Sequence, residues 1–204
     1  MLPPGMQDVK PLPLSFYRRP APMVAWDLLG KIIVHKTPEG ILGAKIVETE
    51  AYLGKDDKAA HASHGETERN RVFYENESGS AYVFQCHGKN FLFNVLTSGN
   101  KPLECVLVRS GEPIIGVEKM RYKNPRKEQE LTNGPAKLSR ALRINRSING
   151  KSLVEGPVMI LGTKANGYSK GVSARVGISK DKTYPLRYYI INSKYVSRSP
   201  KRRY

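Results

Sequence analysis

Two glutamates in residues 45–54 are the side chains whose type and spacing best fit chemical work. The segment is rich in β-branched residues, which predicts a β-strand. Because a strand alternates its faces, one side would carry Ile46, Glu48, Glu50 and Tyr52. In a partly buried cleft, one carboxyl group could have a raised pKa or be held ionised by an arginine, and either state suits acid–base catalysis. The alternative is an exposed strand whose glutamates are solvated.

An aromatic β-hairpin over residues 80–97 is the second candidate. Two predicted strands flank a tip in which His87 and Lys89 would provide an imidazole and an ammonium group, and such groups suit a nucleic-acid groove. Tyr82 and Phe84 share a face of the first strand and could form a stacking wall. Both could equally be ordinary core aromatics.

The sequence predicts neither a metal site nor a bound cofactor. His61 and His64 lie three positions apart, but Cys86 and Cys105 are 19 apart and no Cys-x-x-Cys pair accompanies them. This spacing does not fit a zinc site. The sequence also lacks a Walker loop, a dinucleotide-binding glycine fingerprint and a Gly-x-Ser-x-Gly elbow. An enzyme built on this chain would therefore work without a nucleotide cofactor or a serine nucleophile.

These residues must be held by a chain in which strands dominate. Helices are predicted over residues 23–29, where proline precedes and glycine follows an apolar run, and over 114–122 and 135–143. Strands are predicted over 31–36, 42–52, 80–86, 91–97, 105–110, 157–161, 174–178 and 186–192. Because the strands come in consecutive series rather than alternating with long helices, we expect an α+β, β-rich fold with a largely antiparallel core and helices around it.

The length of the chain predicts its domain organisation, and its charge predicts the class of binding partner. The 204 residues form one expected domain, with an extended leader over 1–13 and a mobile basic tail over 199–204. The net charge of +16 arises wholly in the second half: residues 1–100 hold 11 basic and 11 acidic residues, and residues 101–204 hold 23 and 7. Such a surface attracts a polyanion, most often nucleic acid. A solubilising surface or a ribosome-associated protein are the alternatives; a membrane is disfavoured because no amphipathic helix concentrates the charge.

The expected location is intracellular. The apolar runs are far shorter than the roughly 20 residues of a membrane span. The N-terminus lacks the basic start and apolar block of a secretory signal, and two cysteines are too few for a secreted disulfide scaffold. We expect a cytoplasmic or nucleoid protein in a bacterium and a nuclear protein in a eukaryote.

Seven motifs in chain order, taken together, are characteristic. They are Val47-Glu48-Thr49-Glu50-Ala51-Tyr52, Ala59-Ala60-His61, Arg69-Asn70-Arg71, Tyr82-Val83-Phe84, Asn94, Val106-Leu107-Val108-Arg109 and Asn133-Gly134-Pro135-Ala136-Lys137-Leu138. With these motifs the chain resembles the alkyladenine (methylpurine) DNA glycosylase family over nearly its whole length. The Glu-Thr-Glu-Ala-Tyr core with the downstream Ala-Ala-His is highly specific for that family.

The resemblance implies a single compact domain with a curved antiparallel β core, peripheral helices and a protruding β-hairpin that inserts into DNA. Such enzymes flip 3-methyladenine, 7-methylguanine, hypoxanthine or ethenoadenine out of double-stranded DNA and hydrolyse the N-glycosidic bond. Glu50 would deprotonate the water that attacks C1′, Arg109 would help hold that water and the carboxylate, and Glu48 would be structural. No lysine or N-terminal proline is positioned for a Schiff base, so we expect a monofunctional hydrolase that acts as a monomer.

The resemblance also assigns a base pocket. The purine would lie between Tyr52 on one side and His61 with Phe84 on the other. Asn94 would crowd the exocyclic amine of normal guanine. The other predicted pocket residues are Ala60 and Tyr82.

DNA contacts are expected at the hairpin tip and on nearby basic side chains. His87 stands where animal members of the family have a tyrosine wedge, which fills the space left by the flipped nucleotide. An imidazole is smaller but still planar, so it can stack between bases. The loop from His61 to Arg69 is also shorter than in animal members. The predicted DNA-contacting residues are His87, Gly88, Lys89, Arg69, Arg71 and Lys137.

The competing hypothesis is a non-catalytic, basic nucleic-acid-binding protein with a vestigial pocket. Glu50 and Arg109 distinguish the two hypotheses. A pure binder has no use for a buried carboxylate, because that charge repels the phosphate backbone.

Overall fold

The second strand of the chain organises the fold, since three other strands pair with it. The computed structural model describes residues 7–86, 88–99, 103–121, 127–163, 167–178 and 184–197, and within them eight strands form one sheet. In chain order the strands are β1 (Ile32–Thr37), β2 (Gly40–Tyr52), β3 (Ala81–Cys86), β4 (Asn90–Thr97), β5 (Glu104–Ile115), β6 (Val158–Leu161), β7 (Lys170–Ser173) and β8 (Arg187–Ile190).

The sheet is antiparallel at every pairing among the described strands. Its order is β3-β4-β5-β2-β1-β6, with β8 beside β2 and β7 beside β8. β5 runs along one edge of β2, while β1 pairs with the first half of the other edge and β8 with the second half. This architecture confirms the α+β, β-rich fold class.

The helices of the described residues are short and pack on the sheet. They are α1 (Leu14–Tyr17), α2 (Ala21–Leu28), α3 (Val72–Glu75), α4 (Val117–Arg121), α5 (Glu128–Thr132) and α6 (Pro135–Ala141), with 3₁₀ turns at Gly54–Asp56, His61–His64 and Arg146–Ile148. The helices predicted over 23–29 and 135–143 correspond to α2 and α6. Both carry proline in the first turn, where the missing N–H has no helical partner to lose.

The packing of α2 decides which face of β2 is free for a site. Val24, Ala25 and Leu28 of α2 are fully buried, and burying a large apolar side chain stabilises the fold by about 1.5–3 kcal/mol. On β2, the Thr49 hydroxyl donates a hydrogen bond to the Ala25 carbonyl at 2.9 Å. The face of β2 that carries Thr49 is therefore taken up by α2.

Residues 7 and 8 of the predicted leader form a turn, and residues 10–12 lie along the edge of the sheet. The Leu12 N–H donates to the Ile160 carbonyl at 2.8 Å, and the Gly162 N–H donates to the Lys10 carbonyl at 2.9 Å. Leu12 is buried in the main core. Residues 1–6 and the predicted tail over 199–204 lie outside the described residues.

The helix predicted over 114–122 is wrong at its start. Ile114 and Ile115 end β5, and α4 begins only at Val117. Between them Gly116 has a φ of +69°, a left-handed conformation that favours glycine and separates strand from helix. Ile115 then pairs with Gly43 of β2 instead of starting a helical turn.

The strand predicted over 174–178 is also wrong. The strand in this region is β7, Lys170–Ser173, and residues 174–178 are irregular. The backbone N–H of Val176 donates to a glutamate side chain rather than to a neighbouring strand. This hydrogen bond joins residues far apart in the chain, so the local pattern of apolar residues could not predict it.

Candidate active site

A bulge in β5 places an arginine between the two glutamates of β2. Ser110 pairs with Glu48 and Val108 with Thr49, so Arg109 is an extra residue, and such bulges re-aim a side chain. Its Nε donates to Glu48 Oε1 at 3.0 Å, and its Nη1 donates to Glu50 Oε2 at 3.2 Å. Both glutamates are fully buried, so the alternative of a solvated strand is wrong.

Glu48 is saturated with hydrogen bonds. Its Oε1 accepts from the Nε atoms of Arg109 and Arg187 and from the Ser197 hydroxyl, and its Oε2 accepts from the Ser197 N–H and the Ser110 hydroxyl, at 2.6–3.0 Å. Burial opposes ionisation of this carboxyl, but the two arginines and the Ser197 N–H outweigh it and lower the pKa of Glu48. These donors occupy the roughly four lone-pair positions of a carboxylate. Glu48 therefore has no position left for a water molecule.

Glu50 is held by fewer donors. Among the described residues, its Oε1 accepts from the Val176 N–H at 2.7 Å, and its Oε2 accepts from the Tyr52 hydroxyl at 3.0 Å and from Arg109. Three bonds leave about one of the four lone-pair positions of a carboxylate open. Burial, and after it the charge of Glu50, raises the pKa of Tyr52 well above its usual value, so the phenol keeps the proton that it donates. Glu50 can thus accept one further donor.

The predicted alternation of side chains between the two faces of β2 holds from Glu48 to Tyr52. It is interrupted between Ile46 and Glu48. Glu48 and Glu50 share Arg109, and Glu50 accepts from Tyr52 two positions on. At Val47 a bulge adds one residue to β2. Ile46, on the other side of this bulge, belongs to the main hydrophobic cluster instead of the site.

A buried ion pair lies behind Tyr52. Arg175 donates to both Asp57 oxygens, at 2.5 and 2.8 Å, and its Nη1 also donates to the Ala51 carbonyl at 3.1 Å. The guanidinium carbon lies 4.7 Å from the centroid of the Tyr52 ring, a cation–π contact. Burial opposes ionisation of Asp57, but Arg175 and the N–H groups of Leu53 and Ala59 lower its pKa.

An apolar cavity of about 220 Å³ opens beside this network. All six residues predicted for the base pocket line it. Glu50 does not line the cavity itself, but Tyr52 does, and the Tyr52 hydroxyl connects the cavity wall to the carboxylate. The lining residues are Tyr52, Ala59, Ala60, His61, Phe73, Tyr82, Phe84, Cys86, Leu92, Asn94, Leu103, Cys105, Leu107 and Ile178.

Aromatic rings form one wall of the cavity. His61 meets Phe84 edge to face with ring centroids 4.7 Å apart, and Phe84 lies 5.2 Å from Tyr82. His61 Nδ1 and the Tyr82 hydroxyl are 2.6 Å apart, within hydrogen-bond distance. Burial, followed by the charges of Arg69 and His64, lowers the pKa of His61, so the imidazole is neutral at pH 7. A neutral, oriented ring suits stacking.

Asn94 projects into the cavity in a fixed orientation. Its Nδ2 donates to the Tyr82 carbonyl at 3.1 Å, and the Cys105 thiol lies 4.0 Å from its Oδ1. The Asn94 side chain is 3% exposed, so it has little freedom to move. Burial raises the pKa of the Cys105 thiol, which stays protonated and can donate weakly.

The hairpin of β3 and β4 pairs from Ala81 with Val95 to Cys86 with Asn90, so the predicted hairpin is present. Gly88 in its tip has a φ of +76°, and an added Cβ would meet no atom within 4 Å. Arg140 of α6 donates to Asn90 Oδ1 at 2.8 Å and ties the hairpin to the helix. His87 lies outside the described residues, so its wedge role stays a prediction.

The basic side chains predicted to contact DNA lie at different places around the cavity. Arg69 lies 6.0 Å from the Phe84 ring and lines a polar cleft next to the cavity together with Arg146. Arg71 is exposed, with Glu66 and Glu75 at 3.8 and 3.9 Å. Lys137 donates to Asn133 within the α5–α6 region, and Lys89 lines a groove between the hairpin and α6.

The model of the methylpurine-DNA glycosylase (MPG) family matches residues 15–194 of this chain. The chain belongs to this family. A relative from Carboxydothermus hydrogenoformans, named "Putative 3-methyladenine DNA glycosylase", is 39% identical over 191 residues, which cover 92% of this chain and 98% of the relative. Relatives of the same name are 40% identical in Methanocella arvoryzae, over 92% of this chain and 96% of the relative, and in Clostridium novyi, over 93% and 100%.

For this member of the methylpurine-DNA glycosylase family, sequence reasoning missed several residues of the network around Glu48 and Glu50. The sequence pattern predicts a strand over Arg175 and Val176, and it gives no functional role to Asp57, Arg187 or Ser197. The Arg175 and Val176 contacts reach Asp57 and Glu50 across 118 and 126 positions of the chain. The sequence offers one signal for these residues: Arg175 and Arg187 each stand near the start of a predicted strand, where a charged side chain can reach a neighbouring element.

Neither a metal site nor a membrane span is found in the part of the chain that the structure describes. Its His, Cys, Asp and Glu side chains form no group of three or more that could hold a metal ion. None of its helices has the length and apolar character needed to cross a bilayer.

Proposed function

We propose that this protein is a DNA glycosylase that flips alkylated or deaminated purines out of duplex DNA and hydrolyses their N-glycosidic bond. The observation that carries the proposal is Glu50, which is buried against Arg109 and joined through Tyr52 to an aromatic cavity. The matching relatives bear the name "Putative 3-methyladenine DNA glycosylase". Flipping is required because a stacked base hides the bond to be cut.

In the proposed reaction Glu50 is the general base. A water molecule in its open acceptor position would lose a proton to the carboxylate while attacking C1′ of the flipped nucleotide. The bond from C1′ to the base breaks and its electrons leave with the base, so a cationic alkylated purine departs neutral and hypoxanthine departs as an anion that takes a proton from solvent. The sugar gains oxocarbenium character as the base departs, and the nearby carboxylate stabilises that positive charge. Arg109, anchored by Glu48, keeps the carboxylate in place. Water is the nucleophile, so the product is an abasic site with an intact strand.

The cavity would select the base. Tyr52 on one side and His61 with Phe84 on the other provide faces on which a flat purine stacks, and Ala60 and Tyr82 complete the walls. Asn94 would occupy the space that the 2-amino group of guanine needs. This selection admits 3-methyladenine, 7-methylguanine, hypoxanthine and ethenoadenine, and damage lowers the cost of flipping them.

Double-stranded DNA would bind over the cavity mouth. The hairpin tip, with His87, Gly88 and Lys89, would enter the space left by the flipped nucleotide. Arg69, Arg71 and Lys137 would contact phosphates, with release of counterions. One compact domain is sufficient for this binding and catalysis, so we expect a monomer. We expect it to work without a cofactor, in the compartment that holds the DNA.

The test is incubation of the protein with duplexes that each carry one lesion, analysed with and without alkali. We expect strand cleavage only after alkali, for at least one alkylated or deaminated purine. Cleavage without alkali would contradict the monofunctional hydrolase. An intact duplex in every case would favour the non-catalytic binder instead. The exposed Glu118→Gln variant is the control for Glu50→Gln, and it should retain full excision.

A further inference from the structure

The buried pair of Asp57 and Arg175, here called the Asp57–Arg175 pair, connects three parts of the site. Arg175 donates to the Ala51 carbonyl next to Tyr52, and the following residue, Val176, gives its N–H to Glu50. Asp57 accepts from the N–H groups of Leu53 and Ala59, at 3.1 and 3.0 Å. The segment that these bonds fix leads directly into the cavity wall at Ala60 and His61. One ion pair therefore positions the general base and both stacking walls.

The pair also places a positive charge behind a stacking surface. The Arg175 guanidinium carbon is 4.7 Å from the Tyr52 ring centroid. Arg175 is 6% exposed and does not line the cavity, whereas Tyr52 does. A flipped base that stacks on Tyr52 from inside the cavity would therefore have the guanidinium across the ring from it.

Two classes of lesion differ in charge. A purine nucleotide alkylated at N3 or N7 carries a positive charge on the base, whereas hypoxanthine is neutral. The face of an aromatic ring attracts a cation through its quadrupole. A guanidinium that already occupies one face weakens the attraction for a second cation on the other face, because like charges repel through the ring.

We propose that the Asp57–Arg175 pair is a positioning element that also sets the relative use of cationic and neutral lesion bases. The guanidinium disfavours cationic bases, and the Asp57 carboxylate partly offsets this effect. This inference rests on the proposed glycosylase function. It makes Arg175 and Asp57 specificity-determining residues that touch no substrate atom.

The experiment compares single-turnover excision of 7-methylguanine and hypoxanthine, both opposite cytosine in one sequence, with spontaneous base loss subtracted. Arg175→Gln removes the positive charge and should shift the rate ratio toward 7-methylguanine. Asp57→Asn leaves the guanidinium uncompensated and should shift the ratio toward hypoxanthine. We expect each shift to be about 3- to 10-fold, the size of a partly desolvated cation–π interaction. A purely structural role would slow both lesions and would not move the ratio in opposite directions.

Three further variants keep the test decisive. Arg175→Lys keeps the charge and should keep the wild-type ratio at a reduced rate. The double variant Asp57→Asn/Arg175→Gln avoids an unpaired buried charge, and its ratio should fall between those of the single variants. Arg19→Gln is the matched control, because Arg19 also pairs with a carboxylate, Asp27, at 2.8 Å and lies 4.4 Å from the Phe16 ring; its ratio should not change.

The outcomes separate the two proposals. An active wild-type protein whose ratio is unchanged in both single variants, or shifts the same way in both, overturns this inference and leaves the proposed function standing. A wild-type protein that excises other lesions of the panel but neither of these two bases overturns the inference alone. A wild-type protein that excises no lesion of the panel overturns the proposed function, and the inference with it.

Discussion

Glu48 and Glu50 have the same side chain, lie two positions apart on one strand and are both fully buried, yet their surroundings differ. Around Glu48, β5, β8 and Ser197, which follows β8, supply five hydrogen bonds among the described residues. Around Glu50, the described residues supply three donors, and an aromatic cavity lies next to its partner Tyr52. Burial alone therefore does not distinguish the two carboxylates. The proposed catalytic role is given to Glu50 because it has unused acceptor capacity and is linked through Tyr52 to the cavity.

The largest expected effect is that of Glu50→Gln on excision. An amide cannot take a proton from water, and positioned base catalysis alone accounts for about 10²–10⁴-fold in rate. We expect at least that loss in single-turnover excision, with lesion-duplex binding preserved or tightened because a negative charge near the backbone is removed. Near-normal excision by this variant would move the chemistry to another residue, with Glu48 the first to examine.

Glu48→Gln should instead affect stability. It would leave Arg109 and Arg187 without their shared buried carboxylate, and removing one partner of a buried pair costs about 3–5 kcal/mol. Urea unfolding followed by circular dichroism measures the loss. The folded protein should keep more excision activity than Glu50→Gln does. If Glu48→Gln has the same free energy of unfolding as the wild type, the proposed structural role of Glu48 is wrong.

Asn94 tests whether the cavity beside Glu50 selects the base. Asn94→Ala should leave hypoxanthine excision roughly intact and admit guanine, with a loss of discrimination of about 1–3 kcal/mol. The measurement is excision of guanine mispaired with thymine, relative to hypoxanthine in the same context. An Asn94 variant that gains no activity on guanine would remove the residue from base selection.

The smallest expected effect is that of acid on the free energy of unfolding, through the contribution of the ionised Glu48 side chain. The folded-state pKa of Glu48 is lowered below its unfolded value of about 4.3, so its contribution to stability is complete above that value. The contribution is lost as the pH falls through the folded-state pKa, at about 1.4 kcal/mol for each unit of lowering. The difference in unfolding free energy between wild type and Glu48→Gln should therefore shrink below about pH 4.3. A difference that stays constant from pH 6 to pH 3 would show that the charge of Glu48 contributes nothing.

The sequence by itself determined the parts of the site that depend on local geometry. Strand alternation placed Glu48, Glu50 and Tyr52 on one face, since that period is a property of the extended backbone. The two aromatic runs around Gly88 determined the hairpin, because pairing across a short turn needs only neighbouring residues. The resemblance to the family named six of the fourteen residues that line the cavity, although their distances along the chain gave no physical reason to group them.

The tertiary structure alone decided which glutamate is saturated and which is left with an open position. Arg109 lies between them because of a bulge, and a bulge depends on the register of two paired strands. Arg175 and Val176 reach the site from a segment more than a hundred positions away, where a backbone N–H bonds to Glu50 and not to a strand. The periodicity of a sequence indicates which residues share a face of a helix or strand. Which hydrogen-bond donors from distant segments contact that face depends on how the elements pack.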